Sequence, residues 1–93
     1  LAAVKYVLFY EAAADFMSKV PAHIEVHRAL WAQFQKQGTL LLIGPFTDEP
    51  LGGALAIFTT RAAAEAFVAA DPFVTHGIVA NWKIREWNEV LGN

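Results

Sequence analysis

Four strand-like segments and two helix-like ones, met in the order β-α-β-β-α-β, leave few topologies open. VKYVLFY (4–10) is β-branched and aromatic and reads as a strand. EAAADFMSK then connects it to a helix opened by Pro21, at a position where proline is tolerated, and closed by Gly38 after Lys36 and Gln37. TLLLIG (39–44) and GALAIFT (53–59) are further strands, separated by the proline-containing loop PFTDEPLG. Thr60 is placed to cap an alanine-rich helix, RAAAEAFVAA (61–70). Asp71 precedes Pro72 and is thereby pushed out of helical geometry. The last strand, GIVANWKIREW (77–87), sets Trp82 and Ile84 on one face and Lys83 and Arg85 on the other. The expected fold class is α+β: a ferredoxin-like subunit whose helices cover one face of a four-stranded antiparallel sheet.

The uncovered face of such a sheet is ordinarily polar. Here Tyr6, Leu8 and Tyr10 oppose Val7 and Phe9, and Leu40 and Leu42 oppose Leu41 and Ile43, so both faces call for burial. Composition agrees. Of 93 residues 56% are apolar and 17% charged, against usual values of about 45–50% and about 25%. A domain this small buries only about 60–65% of its unfolded surface. Residues 1–93 therefore read as a single domain that forms a homodimer or higher homo-oligomer, two sheets packing face to face into a dimeric α/β barrel.

Several function classes are excluded. Net charge is −2 and no basic run exceeds one residue, which leaves nothing to face nucleic-acid phosphates. The absence of cysteine removes disulfides, thiolate metal sites and cysteine nucleophiles, and fits a reducing compartment. YVLFY is too short for a signal-peptide core, and no run approaches the ~18 apolar residues of a membrane span. A soluble, cytoplasmic protein is expected. Leu1 stands where a methionine is expected, marking an altered or trimmed start.

HIEVH (23–27) carries two histidines at the spacing of a zinc-protease helix, with the acid one place late. At ~100° per residue, His23, His27, Leu30 and Phe34 share one stripe about 60° wide. Glu25 points about 160–200° away from that stripe and cannot act as the general base. No third ligand is evident beyond His76, so no metal is expected. A histidine on an apolar stripe is ordinarily a packed side chain with one hydrogen bond; two of them each need a polar partner. Asp71 is the preferred one: it ends the second helix on the same face of the sheet, and a carboxylate there would fix the tautomer of His23 and leave the other nitrogen as a base. The ordinary alternative for Asp71 is a solvated acid in a helix-ending turn. Asp48 is a rival partner and Asp15 a weaker one. Gly44, Pro45 and Phe46 read as a pocket rim, with Gly44 allowing close approach. Phe73, Trp31 and Trp82 are further candidate walls, although aromatic residues more often serve a core or interface.

KYVLFY, PAHIEVHRAL, GTLLLIGPFTD, GALAIFTTRAAAEAFVAADPFV and WKIREW together resemble the YciI-like family, over residues 4–88. The most telling pieces are the histidine after Pro-Ala, the Gly-Pro ending strand two, and Asp-Pro-Phe-Val followed by Gly77. The resemblance implies a ferredoxin-like subunit in a dimeric barrel and a site pairing a helix histidine with the aspartate of the Asp-Pro motif, here His23 and Asp71. It implies no role for His27 or His76. One branch of the family resembles dehydrochlorinases of chlorinated hydroxyquinols, and the wider superfamily includes muconolactone isomerases and cofactor-free monooxygenases.

The function expected is a cofactor-independent acid/base enzyme, of lyase or isomerase type. His23 and Asp71 would be catalytic, with Gly44, Pro45, Phe46, Phe73 and Trp31 against a small aromatic or quinol-like substrate. The alternatives are a non-catalytic small-molecule-binding module using the same pocket and a purely structural dimeric module.

Overall fold

The computed structural model of the chain describes residues 3–48 and 52–92. Leu1 and the end of the proline-containing loop, residues 49–51, lie outside the described residues. The elements are β1 (Ala3–Ala12), α1 (Phe16–Lys36), β2 (Leu40–Pro45), β3 (Ala54–Phe58), α2 (Arg61–Ala70), the single-turn α3 (Pro72–Thr75) and β4 (Val79–Glu89). The four strands form one antiparallel sheet in the order β2-β3-β1-β4, as the ferredoxin-like pattern requires.

Two local expectations need correction. Helix α1 begins at Phe16, so Pro21 lies inside it rather than opening it. The lost N–H of Pro21 is a cost near the N-terminal end, where the chain gains other bonds: Ser18 donates from its N–H and from its hydroxyl to the Asp15 carbonyl, at 3.2 and 2.8 Å. The ring of Phe16 also packs closely against Gly52. In β2 the register shifts between Leu40 and Leu42. Such a bulge moves later side chains to the opposite face, so Leu40 and Ile43 pair with Phe58 and Ala56 while Leu42 pairs with Ile57. The expected grouping of Leu40 with Leu42 therefore fails.

Other end signals act as expected. Gly38 takes φ +81° and donates to the Gln35 carbonyl at 2.9 Å, ending α1 in a left-handed turn. Thr60 Oγ1 accepts from the Ala63 N–H at 3.1 Å, capping α2.

The core lies between the helices and the face of the sheet carrying Leu8, Leu40, Ala56 and Phe58. Phe58, Phe67 and Phe34 make its aromatic centre, Phe67 lying 5.4 Å from each of the other two rings. By alternation from this face, Val7, Phe9, Leu55 and Ile57 lie on the open face. Among the described residues no helix is long and apolar enough to cross a membrane.

Candidate active site

Asp71 is the hub of the site, and its position follows from Pro72. Ahead of that ring its backbone turns extended (ψ 119°), which ends α2 at Ala70. Its side chain then folds back to cap α3, Oδ1 accepting from the Phe73 N–H at 3.0 Å. Asp71 is fully buried, yet both oxygens are satisfied. Oδ1 also accepts from His27 Nδ1 at 2.8 Å, and Oδ2 accepts from the Tyr10 hydroxyl at 2.6 Å. Three donors from three elements hold one carboxylate.

This network sets the protons. The Tyr10 pKa is pushed far above its usual value, first by burial, then by the adjacent Asp71 charge and the hydrogen bond to it. Tyr10 therefore keeps its proton and donates. An ionised carboxylate only accepts, so the nitrogen of His27 facing Asp71 must carry the hydrogen. In the neutral ring Nε2 is then the lone-pair atom. It has no hydrogen-bond partner among the described residues, and no buried side-chain nitrogen or oxygen there is unsatisfied, so Nε2 meets accessible space. The ring is held flat by Phe73, stacked at 3.8 Å and 3°, with Phe67 edge-on at 6.3 Å.

That space is a cavity of about 800 Å³, bounded by α1 and strands β1 to β3. Its size is within the range of about 300–1,000 Å³ usual for small-ligand pockets. His27 and Tyr10 line it, as do all five expected wall residues: Gly44, Pro45, Phe46, Phe73 and Trp31. Gly44 owes nothing to crowding, since a Cβ there would meet nothing within 4 Å. The glycine that close approach demands is Gly53, at φ +90°, where a Cβ would lie 2.7 Å from the Tyr10 carbonyl oxygen.

The expected pairing of His23 with Asp71 is not what forms. The helical stripe identifies the right face but not the right level. Residues 23 and 27 share azimuth and differ by one turn, about 6 Å along the axis; Asp71 sits level with the second. His23 stacks instead on His76, ring centroids 4.1 Å apart and 11° from parallel. It is half-buried and does not line the cavity. The rival acids make no hydrogen bond to a histidine among the described residues: Asp15 pairs with Lys19 at 3.3 Å, and Asp48 lies exposed on the cavity rim. Trp82, a further candidate wall, is 47% exposed and does not line this cavity. Among the described residues no three His, Asp or Glu side chains group as metal ligands.

Tyr10 escaped the sequence reading, although a phenol ending the helix-facing row of β1 needs a partner once buried. Its raised pKa has a measurable consequence. Below about pH 10, the value of a free tyrosine, folded and unfolded chains both hold the proton and the hydrogen bond contributes in full. Above it the unfolded chain loses a proton that the folded chain retains, so stability falls as pH rises. Tyr10→Phe should cost about 1–3 kcal/mol at neutral pH and remove this alkaline component. Urea unfolding at about pH 8 and about pH 11 checks it; identical losses in both proteins would exclude the role given to Tyr10.

Comparison of the sequence with curated proteins gave no match. Among solved structures, the fold resembles the 5-chloro-2-hydroxyhydroquinone dehydrochlorinase of Burkholderia phenoliruptrix AC1100, solved in complex with 2,5-dihydroxybenzoquinone. That likeness has a TM-score of 0.72 at 16% identity, covering 89% of this chain and 92% of the other. A conserved protein from Methanosarcina mazei Go1 is similar at TM-score 0.56 and 12% identity, over 96% of this chain and 93% of that one. At such identities these likenesses speak for the fold. The sequence itself matches the YCII-related domain over residues 4–88, nearly its whole length, and the chain belongs to that family.

Proposed function

We propose that this chain is a small acid/base enzyme, of lyase or isomerase type, that works without a cofactor. His27 Nε2 is the proton-transferring atom, and Asp71 orients the ring and stabilises its charged form. The observation that carries this is the buried Nδ1–Asp71 contact at 2.8 Å on the wall of a cavity into which the opposite nitrogen is free to act. General acid/base assistance of this kind contributes about 10²–10⁴-fold, enough for elimination or isomerisation of an already acidic substrate. In an elimination, Nε2 takes the substrate proton while the leaving group departs with its bonding electrons.

The substrate class is a small aromatic or quinol-type molecule. Flat walls from Trp31, Phe46 and Phe73 support it, as does the fold likeness to a protein described as a hydroquinone dehydrochlorinase. The test is turnover of a panel of chlorinated hydroquinols and muconolactones by chelator-treated protein. Release of chloride or isomerised lactone is expected. Binding of these compounds without any turnover would leave only a binding module.

The working unit proposed is a homodimer. Val7 is only 7% exposed, but Leu42 and Trp87 on the same open face are 64% and 46% exposed. A second sheet laid on this face would cover them. Sedimentation equilibrium should return twice the 10.2 kDa chain mass; a stable monomer at micromolar concentration would exclude it.

A further inference from the structure

One side chain on the cavity wall is out of keeping with its neighbours. Ile24, Arg28, Trp31 and Gln35 follow one another at i, i+4, i+7 and i+11 along α1, and all four line the cavity. That spacing puts them on one helical face. Among the described residues Arg28 is the only lysine or arginine lining it. Its sole ionic contact among the described residues is Glu25, at 3.8 Å, with the two side chains 60% and 85% exposed. A pair so long and so solvated holds the guanidinium weakly. The guanidinium is therefore free to engage something else.

We infer that Arg28 is a substrate-binding residue that selects ligands carrying an ionised oxygen group, such as a carboxylate or phenolate, on an otherwise apolar ring. The inference rests on the acid/base reading of the cavity and adds the charge of what enters it. A guanidinium presents a planar fork of donors that matches an oxyanion and also stacks on aromatic surface. Among the described residues the only acid lining the cavity is Asp48, which follows β2 and so belongs to a different wall from α1. Asp48 would repel the same oxyanion. Together the two charges orient the ligand with its anionic end toward α1. His27 is the residue immediately before Arg28, so the anchored end and the proton-transferring nitrogen are supplied by one helix. Arginine at the margin of an apolar stripe can also serve only to keep its head in water; the two roles differ in what the cavity binds.

The experiment compares benzoate with benzamide, an uncharged molecule of nearly the same shape, by quenching of tryptophan fluorescence and by calorimetry. The wild type should bind benzoate about three- to tenfold more tightly than benzamide. Arg28→Gln should reduce benzoate affinity to that of benzamide and leave benzamide unchanged, while Arg28→Lys should keep part of the preference. Added salt should weaken benzoate binding alone. Equal binding of both probes by the wild type, or an unaltered preference in Arg28→Gln, overturns the role of Arg28 and leaves the acid/base reading standing. Binding of neither probe overturns both. Arg28 is exposed, so Arg28→Gln should fold as the wild type does, and circular dichroism confirms that separately.

Discussion

His27→Gln should lower turnover of a responsive chlorinated hydroquinol or muconolactone by about 10²–10⁴-fold, while His23→Gln should stay within about twofold of the wild type. The contrast is sharp because the two rings lie on the same stripe of one helix and differ only in what they meet. His27 has a buried carboxylate on Nδ1, an aromatic plate at 3.8 Å and open space beyond. His23 has another imidazole and no place on the cavity wall. Glutamine at 27 can still hydrogen-bond Asp71 through its amide N–H, which limits the structural damage, but it supplies no basic nitrogen. The loss should therefore fall on kcat, with the fold retained by circular dichroism. Equal losses in both variants would point to general destabilisation; a loss confined to His23→Gln would move the site one turn along α1.

Asp71→Ala should be the most damaging single substitution to stability, at about 3–5 kcal/mol. In a domain of this length that lowers Tm by more than about 10 °C. Alanine leaves the Tyr10 hydroxyl, the His27 Nδ1–H and the Phe73 N–H without their acceptor at a fully buried position. Asp71→Asn separates structure from chemistry. Phe73 and His27 both donate to Oδ1, so an amide oxygen kept there preserves both bonds. The NH2 is then set against the Tyr10 hydroxyl, which must turn to accept. The tautomer of His27 is kept, but a neutral amide no longer stabilises the charged ring that forms when Nε2 takes a proton. Asp71→Asn should fold, unfold at lower urea than the wild type, and lose about 10–10³-fold in turnover, the effect of removing a charge worth about 1–3 pKa units. Full activity in this variant would remove the carboxylate from the mechanism.

Much of this architecture is legible in the sequence because it is written in local signals. Pro72 expels Asp71 from α2 whatever surrounds it. Thr60 and Gly38 end helices through atoms within a few residues of themselves. The alternation in β1 orders its faces before any partner strand is known. Gly44 to Phe46 close β2 and Phe73 follows the Asp-Pro turn, places these signals locate, whereas Trp31 lies within α1 and is placed by helical periodicity.

What misled was not local. Pro21 reads as a helix start, and the resemblance selects the histidine after Pro-Ala, His23, from two that share a face. The helix instead begins five residues earlier, at Phe16. Which turn of α1 lies level with Asp71 is fixed by how α1 packs on α2 and α3, a tertiary property that 3.6-residue periodicity does not encode. The bulge in β2 is similar, since four consecutive apolar residues (40–43) carry no mark of where the register slips. Tyr10 joins the site only because a strand at one end of the chain runs beneath a turn sixty-one residues later.

The most direct measurement is nitrogen-15 NMR of histidine-labelled protein, at a pH where imidazole is neutral. His27 should appear as the Nδ1–H tautomer, with a slowly exchanging, strongly downfield proton on Nδ1 that moves upfield in Asp71→Asn, and with Nε2 unprotonated. A proton on Nε2 of His27, or the downfield Nδ1 proton on His23 instead, would contradict the account.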